Sequence, residues 1–116
     1  MAQSKEESGG DAAEARVVFA TAADQEVAKR IALGLLERRL VACVNVVTGV
    51  TSHYRWQGRV EEAREVLLIA KTTADRVAAL ERAFHELHPY DTPEFVVIVP
   101  EHVSPRYQAW LETETR

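Results

Sequence analysis

The fold is decided by residues 41–73, which read VACVNVVTGVTSHYRWQGRVEEAREVLLIAKTT. Both halves are rich in β-branched and aromatic residues, which favour strands, and Gln57-Gly58 between them predicts a tight turn. Each arm is much longer than the usual strand of about 5–6 residues. We therefore expect a β-hairpin that projects beyond its own sheet. Its far end needs a partner, because an isolated hairpin is only marginally stable in water.

The segment before this hairpin predicts one strand and one helix. Residues 17–19 (Val-Val-Phe) are typical of a short strand. The box Thr21-x-x-Asp24 then predicts the start of a helix that ends near Leu40. The apolar positions of this helix recur at spacing four and include Val27, Ile31 and Leu35.

The segment after the hairpin repeats the pattern. Asp75 opens a second predicted helix, which ends at His88-Pro89 because proline disfavours helix in the residue before it. Phe95 to Val99 predicts a fourth strand, and the spacing of Tyr107, Trp110 and Leu111 predicts a short final helix. The order β-α-β-β-α-β with a terminal helix predicts an α+β protein. Its ferredoxin-like antiparallel sheet carries two helices on one face.

Length and composition fit one globular domain. Residues 1–15 carry almost no bulky apolar side chain, so we expect a disordered tail followed by a domain over residues 16–116. The balance of 14 Lys+Arg against 18 Asp+Glu argues against a nucleic-acid partner. No apolar run approaches the roughly 20 residues of a membrane helix, and no secretory signal is visible. We therefore expect a cytoplasmic protein with no membrane partner.

The register of the hairpin depends on Gly49. Regular pairing from a two-residue turn places Cys43 and Lys71 on opposite faces of the hairpin. A glycine in mid-strand often marks a bulge, and one extra residue there brings Cys43 directly opposite Lys71. We predict that bulge. A lysine ammonium beside a thiol favours the thiolate, the form that binds metals. Alternatively, Cys43 is simply a small buried residue of the strand.

Two histidines and two aromatic residues are further candidates. His85 and His88 lie three apart on the predicted helix and can share one face, which suits a metal, although hydrogen bonding at the helix end is the commoner role. Tyr54 and Trp56 near the hairpin tip are typical of a protein interface. The sequence has no phosphate loop, GxGxxG, HExxH or CxxC motif. The sequence also shows no recognisable combination of a nucleophile, a general base and a residue that orients the base. We therefore do not expect an enzyme.

Several segments, in their order and spacing, resemble the CutA family of divalent-cation tolerance proteins. They are Ala42-Cys43-Val44-Asn45, Tyr54-Arg55-Trp56-Gln57-Gly58, Glu65 with Lys71-Thr72, His88-Pro89-Tyr90-Asp91-Thr92-Pro93-Glu94, and Tyr107-x-x-Trp110. The resemblance runs from about Arg16 to Leu111. It implies a ferredoxin-like subunit in a tight homotrimer, where hairpins of neighbouring subunits pair. It also implies a role in tolerance of copper and other divalent cations.

The resemblance implies three hypotheses for the site. In the first, Cys43 and His88 bind copper or another divalent cation, while Ala20 and Leu87 stand where bacterial members place further ligands. In the second, the protein is similar to PII signalling trimers and holds a small anionic ligand with the charge of Lys71. In the third, the same residues mainly build the trimer interface. The residues implied for a ligand cleft or trimer interface are Tyr54, Trp56, Glu65, Lys71, Tyr90, Glu94 and Trp110.

Overall fold

The computed structural model describes residues 12–116. Within this range, strands and helices follow one another in the order predicted from the sequence. The elements are β1 (Ala15–Ala22), α1 (Gln25–Glu37), β2 (Cys43–Trp56), β3 (Arg59–Thr73), a 3₁₀ turn (Ala74–Arg76), α2 (Val77–Leu87), β4 (Phe95–Ile98) and α3 (Pro105–Glu114). None of the helices in the described range is long and apolar enough to span a membrane.

The strands form one sheet in the order β2-β3-β1-β4, and every neighbouring pair is antiparallel. The first and third strands therefore lie in the centre, and β2 and β4 lie at the edges. This is the order of the ferredoxin-like fold, in which each half contributes one central and one edge strand. The predicted fold class is confirmed.

The hydrophobic core lies between one face of the sheet and helices α1 and α2. Alternate residues of the central strands face the helices, as the two-residue period of a strand requires. The helices contribute apolar residues at spacing three and four, which form one stripe. The principal core side chains are Val18, Ala20, Leu68, Ala70, Ile31, Leu35, Leu80 and Phe84.

The other face of the sheet, called here the open face, carries no α1 or α2 contacts and is also apolar. It consists of the alternate strand residues, and paired positions on neighbouring strands share it. Val47, Val96 and Ile98 on this face are 40%, 48% and 39% exposed. A contiguous apolar surface of this kind on a small domain marks an interaction site.

The β2–β3 hairpin projects from the sheet, as predicted. β1 pairs with β3 only as far as Val66, so residues 59–65 of β3 pair with β2 alone in the described part of the chain. The described molecule measures 54 × 29 × 23 Å and has a radius of gyration of 15.7 Å. A compact domain of roughly 100 residues has a radius of gyration of about 13 Å. The elongation therefore comes from the hairpin.

The predicted turn and the predicted bulge are both present. Gln57 and Gly58 have positive φ angles of 51° and 79°, the backbone that a two-residue type I′ hairpin turn requires. The register shifts between Val47 and Val50, where β2 has one residue more than β3. Gly49, at φ 81°, occupies the bulge.

The bulge decides which side chains share the open face. It places Cys43 directly opposite Lys71, the pairing predicted from Gly49. Beyond it, the side-chain alternation of β2 changes phase, so that Tyr54 and Trp56 lie on the same face as Cys43. A hairpin with regular pairing throughout would send these two aromatic side chains to the opposite face.

One predicted boundary is wrong. The helix-start box assigned Thr21 as the cap of the first helix, but Thr21 lies within β1 and pairs with Leu67. The cap is Asp24, whose side chain accepts a hydrogen bond from the Val27 N–H at 2.9 Å. β1 begins at Ala15, one residue before the predicted domain boundary. The rest of the predicted tail, residues 1–11, lies outside the described residues.

Replacing Gly49 tests the backbone at the bulge. No atom lies within 4 Å of the place where a Cβ would stand, so the cost of a side chain there is conformational. We expect Gly49→Ala to lower the free energy of unfolding by about 1 kcal/mol, because alanine is strained at positive φ. Gly49→Asn should cost less, because asparagine tolerates this region. Chemical denaturation at fixed protein concentration measures both. Equal stability of all three proteins would contradict the assignment.

Candidate functional site

A cleft of about 780 Å³ lies between the outer part of the hairpin and the loop of residues 89–94. Five of its strand residues reach it from the open face, and residues 89–94 form the opposite wall. Its lining residues are Thr21, Ser52, His53, Tyr54, Trp56, Glu65, Pro89, Tyr90, Asp91, Thr92 and Glu94. The structure thus brings together five residues named from the sequence: Tyr54, Trp56, Glu65, Tyr90 and Glu94.

The charge of this cleft is negative. Glu65, Asp91 and Glu94 line it, and none of its lining residues in the described part of the chain is lysine or arginine. Burial raises the pKa of the Tyr90 hydroxyl, and the negative charge of Glu65 raises that pKa further.

His88 holds the loop that forms one wall of the cleft. Its side chain is buried, and its Nε2 lies 2.8 Å from the carbonyl oxygen of Thr21. The N–H of Tyr90 donates to its Nδ1 at 3.1 Å. Because a carbonyl can only accept and an N–H can only donate, His88 must be neutral with its proton on Nε2. Both ring nitrogens are therefore occupied by the protein itself, and the ring also packs against Phe84, with centroids 5.1 Å apart.

The remaining predicted residues lie in a second region, at the other end of the open face. Lys71 donates a hydrogen bond to the side-chain oxygen of Asn45 and does not line the cleft. Burial raises the pKa of the Tyr107 hydroxyl, and the adjacent Cys43 thiol raises it further. Trp110 stacks on Tyr107, with ring centroids 5.5 Å apart. This second region combines a thiol, an ammonium and two aromatic rings.

The structure does not bring Cys43 and His88 together within one subunit. Cys43 lies level with Lys71 and Val17, whereas His88 bonds to Thr21, four residues further along β1. At about 3.3 Å per residue, the two levels are roughly 13 Å apart along the strands. No group of three or more His, Cys, Asp or Glu side chains among residues 12–116 is arranged to hold a metal ion. One subunit alone does not fit copper.

Some cleft residues were not named from the sequence. Ser52 precedes Tyr54 by two positions, so the strand period that selects Tyr54 and Trp56 also selects Ser52. Asp91 lies inside the motif that contains Tyr90 and Glu94. Thr21 gave no signal of its own, because it was assigned to a helix cap. Its carbonyl oxygen, which binds His88, belongs to the backbone. The residue type at position 21 therefore does not reveal this contact.

The fold and the site define a class: a ferredoxin-like α+β subunit with an extended hairpin and an acidic, aromatic cleft. Comparison with known proteins identifies the family to which this fold belongs. The family model described as CutA1 divalent ion tolerance protein matches residues 16–114. The chain therefore belongs to the CutA1 family of divalent ion tolerance proteins, which confirms the resemblance of its motifs.

Individual relatives cover most of the chain. The divalent-cation tolerance protein CutA of Thermus thermophilus is 46% identical over 99 residues, 85% of this chain and 96% of that protein. A protein CutA homolog of Xenopus laevis is 43% identical over 93 residues, 80% of this chain and 62% of that protein. The crystal structure of CutA from Xylella fastidiosa, 36% identical, superposes with a TM-score of 0.86 over 89% of this chain and 99% of that one.

Replacing His88 tests its role in holding the loop. We expect His88→Ala to lower the free energy of unfolding by about 2–4 kcal/mol, because it removes a packed ring and leaves two backbone groups without partners. Amide hydrogen exchange at Tyr90 should accelerate.

The matched control for this variant is His85→Ala, at an exposed position in the last turn of α2, which should change stability by less than about 0.5 kcal/mol. An unchanged exchange rate at Tyr90 in His88→Ala would contradict the assignment.

Proposed function

We propose that this chain acts in divalent-cation tolerance as a homotrimer, and that it binds copper or another divalent cation at sites shared between subunits. The observation that carries the proposal is the apolar open face with Cys43 on it. This face and the projecting hairpin need a second surface, and three copies of one chain provide it with closed symmetry.

The hairpin adds a second argument for association. β2 lies at the edge of the sheet, so one side of its 14-residue backbone has no strand partner among residues 12–116. Exposed edges of this length pair readily with other strands. Tyr54 and Trp56 are 44% and 52% exposed near the tip, where aromatic residues are typical of interfaces. Pairing between copies would cover both the edge and the tip.

Cys43 is the ligand we propose for the metal. Its thiolate would be the softest ligand of the chain and would favour cuprous copper. It lies on the face that a trimer would cover, and the remaining ligands would come from a neighbouring subunit. His88, the second ligand suggested by the motif, would first have to release the Thr21 carbonyl or the Tyr90 N–H. We therefore propose Cys43 as a ligand and His88 as the residue that holds the loop.

A second candidate function is small-molecule binding in the cleft. Its volume of about 780 Å³ lies within the range of about 300–1,000 Å³ usual for ligand pockets. The anionic ligand expected from the sequence relied on Lys71, which lies outside the cleft. The carboxylates of the cleft favour a cation instead. A cytoplasmic location and the absence of enzymatic activity stay predictions.

The trimer is tested by molar mass. Light scattering should give three times the chain mass of 13.0 kDa. Val96→Asp places a charge on the open face and should shift the protein towards monomer, because an unpaired charge in a buried interface is costly. Leu33→Asp makes the same change on the exposed side of α1 and should leave the mass unchanged. If Val96→Asp and Leu33→Asp behave alike, the open face is not the interface.

Copper binding is tested by competitive titration of the trimer with cuprous and cupric ions. We expect Cys43→Ser to weaken copper binding at least about tenfold, a loss of about 1.4 kcal/mol. An unchanged affinity for copper in Cys43→Ser would show that Cys43 is not a ligand.

The matched variant is His88→Gln, which should retain the affinity for copper in whatever fraction remains folded. A folded His88→Gln that loses copper as completely as Cys43→Ser would instead make His88 a ligand.

A further inference from the structure

The final helix is held to the domain by few apolar contacts. Leu111 is the one buried side chain of α3, which has ten residues. The core cluster within residues 12–116 includes no residue of this helix. Helices in proteins are stabilised mainly by the packing of an apolar face, and this helix has little of one. Other contacts must therefore fix its position.

Polar side chains fix the C-terminal end of α3. Arg76, in the 3₁₀ turn after β3, donates from Nε to the Thr115 carbonyl oxygen at 2.6 Å. Carbonyl groups at a helix end lack partners within the helix, and a positive charge is favourable there. Arg116 pairs with Asp75 at 2.8 Å, and the Thr73 hydroxyl donates to the same carboxylate at 2.6 Å. These five residues are called here the clasp.

The clasp joins the helix to the end of β3. Thr73 and Thr115 are fully buried, and their hydroxyl oxygens lie 3.5 Å apart. Burial alone would raise the pKa of the Asp75 carboxyl, but the Thr73 hydroxyl and the Arg116 guanidinium hold that pKa below its ordinary value. Asp75 is therefore ionised at neutral pH. The clasp thus attaches α3 to β3 by charge-assisted contacts.

The other end of α3 lies beside Cys43. Burial raises the pKa of the Tyr107 hydroxyl, and the charge of Cys43 and a hydrogen bond with it raise that pKa further. A hydrogen bond has this effect when the hydroxyl donates it, because the bond is lost with the proton. Trp110 stacks on the Tyr107 ring, with centroids 5.5 Å apart, and supports it. The Tyr107 hydroxyl is therefore a donor directed at the sulfur.

A short helix transmits an anchor at one end to the side chains at the other. Tyr107 and Thr115 are eight residues apart, which is about 12 Å along a helix. Next to Tyr107, the Gln108 side chain donates to the Ala13 carbonyl oxygen at 2.7 Å. That bond ties the helix to the segment before β1 and not to the strand that carries Cys43. The clasp therefore sets where the Tyr107 hydroxyl lies relative to β2 and β3.

We propose that Tyr107 orients the Cys43 thiol for metal binding and that Arg76 is a positioning residue, which holds Tyr107 in place through α3. The inference rests on the proposed function, in which Cys43 binds copper, and names the residues that control this ligand. A donor to a metal-binding sulfur fixes its direction and tunes its basicity. All these contacts lie within one chain, so a neighbouring subunit on the open face is compatible with them.

The first test follows α3 without metal, by amide hydrogen exchange of the full chain. Arg76→Ala should accelerate exchange in α3 at least about tenfold, because it removes a charge-assisted hydrogen bond. Arg116→Ala removes the other arginine of the clasp from an exposed position and should act in the same direction. The matched control is Arg82→Ala, at an exposed position of α2 outside the clasp, which should leave exchange in α3 unchanged.

The second test measures the affinity for cuprous copper by competitive titration. Tyr107→Phe should weaken binding about tenfold, because it keeps the ring and removes the donor. Arg76→Ala should weaken binding several-fold, and Arg76→Lys, which keeps a donor, should lose less.

The double variant separates positioning from a merely structural role. Arg76→Ala combined with Tyr107→Phe should bind copper like Tyr107→Phe alone, since Arg76 acts on the thiol only through Tyr107. Independent effects of the two residues would instead add. Light scattering and melting temperature report whether each variant remains folded and assembled. Arg116→Ala repeats the cycle with a residue outside the core if Arg76→Ala does not fold.

Three results would overturn the inference. Equal exchange of α3 in Arg76→Ala and Arg82→Ala would show that the clasp does not hold the helix. Additive losses of copper affinity in the double variant would show that Arg76 does not act through Tyr107. Copper binding that is lost in Cys43→Ser but intact in Tyr107→Phe would show that the hydroxyl does not orient the thiol, while the proposed function stands. An affinity that is unchanged in Cys43→Ser would refute the proposed function itself.

Discussion

One extra residue in β2 determines which side chains of this protein can act together. Strands alternate their side chains between two faces, so a regular hairpin would place Tyr54 and Trp56 opposite to Cys43. The bulge at Gly49 reverses the alternation and aligns all three on the open face. The cleft, the thiol region and the proposed subunit contact depend on this single irregularity. Helices α1 and α2 pack on the other face of the sheet.

The elements of the fold could be predicted because their requirements appear in the residues themselves. Gly49 and Gly58 occupy backbone conformations that glycine adopts without strain, and proline after His88 ends a helix. Thr21 shows where this reasoning fails. Its spacing from Asp24 matches a helix cap, but pairing with Leu67 extends β1 through it. Threonine also favours strands, and contacts with a distant segment outweighed the local pattern.

The site could be predicted in part, and the limits have physical causes. The cleft residues of the hairpin share a face, which the strand period reveals, and those of the loop share a motif. Neither pattern gives a distance along the strands, so Cys43 and His88 were paired although the structure places them at separate levels. The role of His88 depends on a backbone carbonyl and a backbone N–H, which every residue type except proline supplies. Sequence alone could not distinguish this histidine from a metal ligand.

The ring of His88 connects the cleft to the interior of the domain. One side of it packs on Phe84, which is buried in the core, and its nitrogens hold Thr21 and the loop at Tyr90. The width of the cleft is therefore set by core packing as well as by the surface. Interiors are close-packed, so a change of volume at Phe84 is transmitted to its neighbours. A substitution at Phe84 can therefore shift the loop of residues 89–94 without touching it, which couples the shape of this surface to the stability of the core.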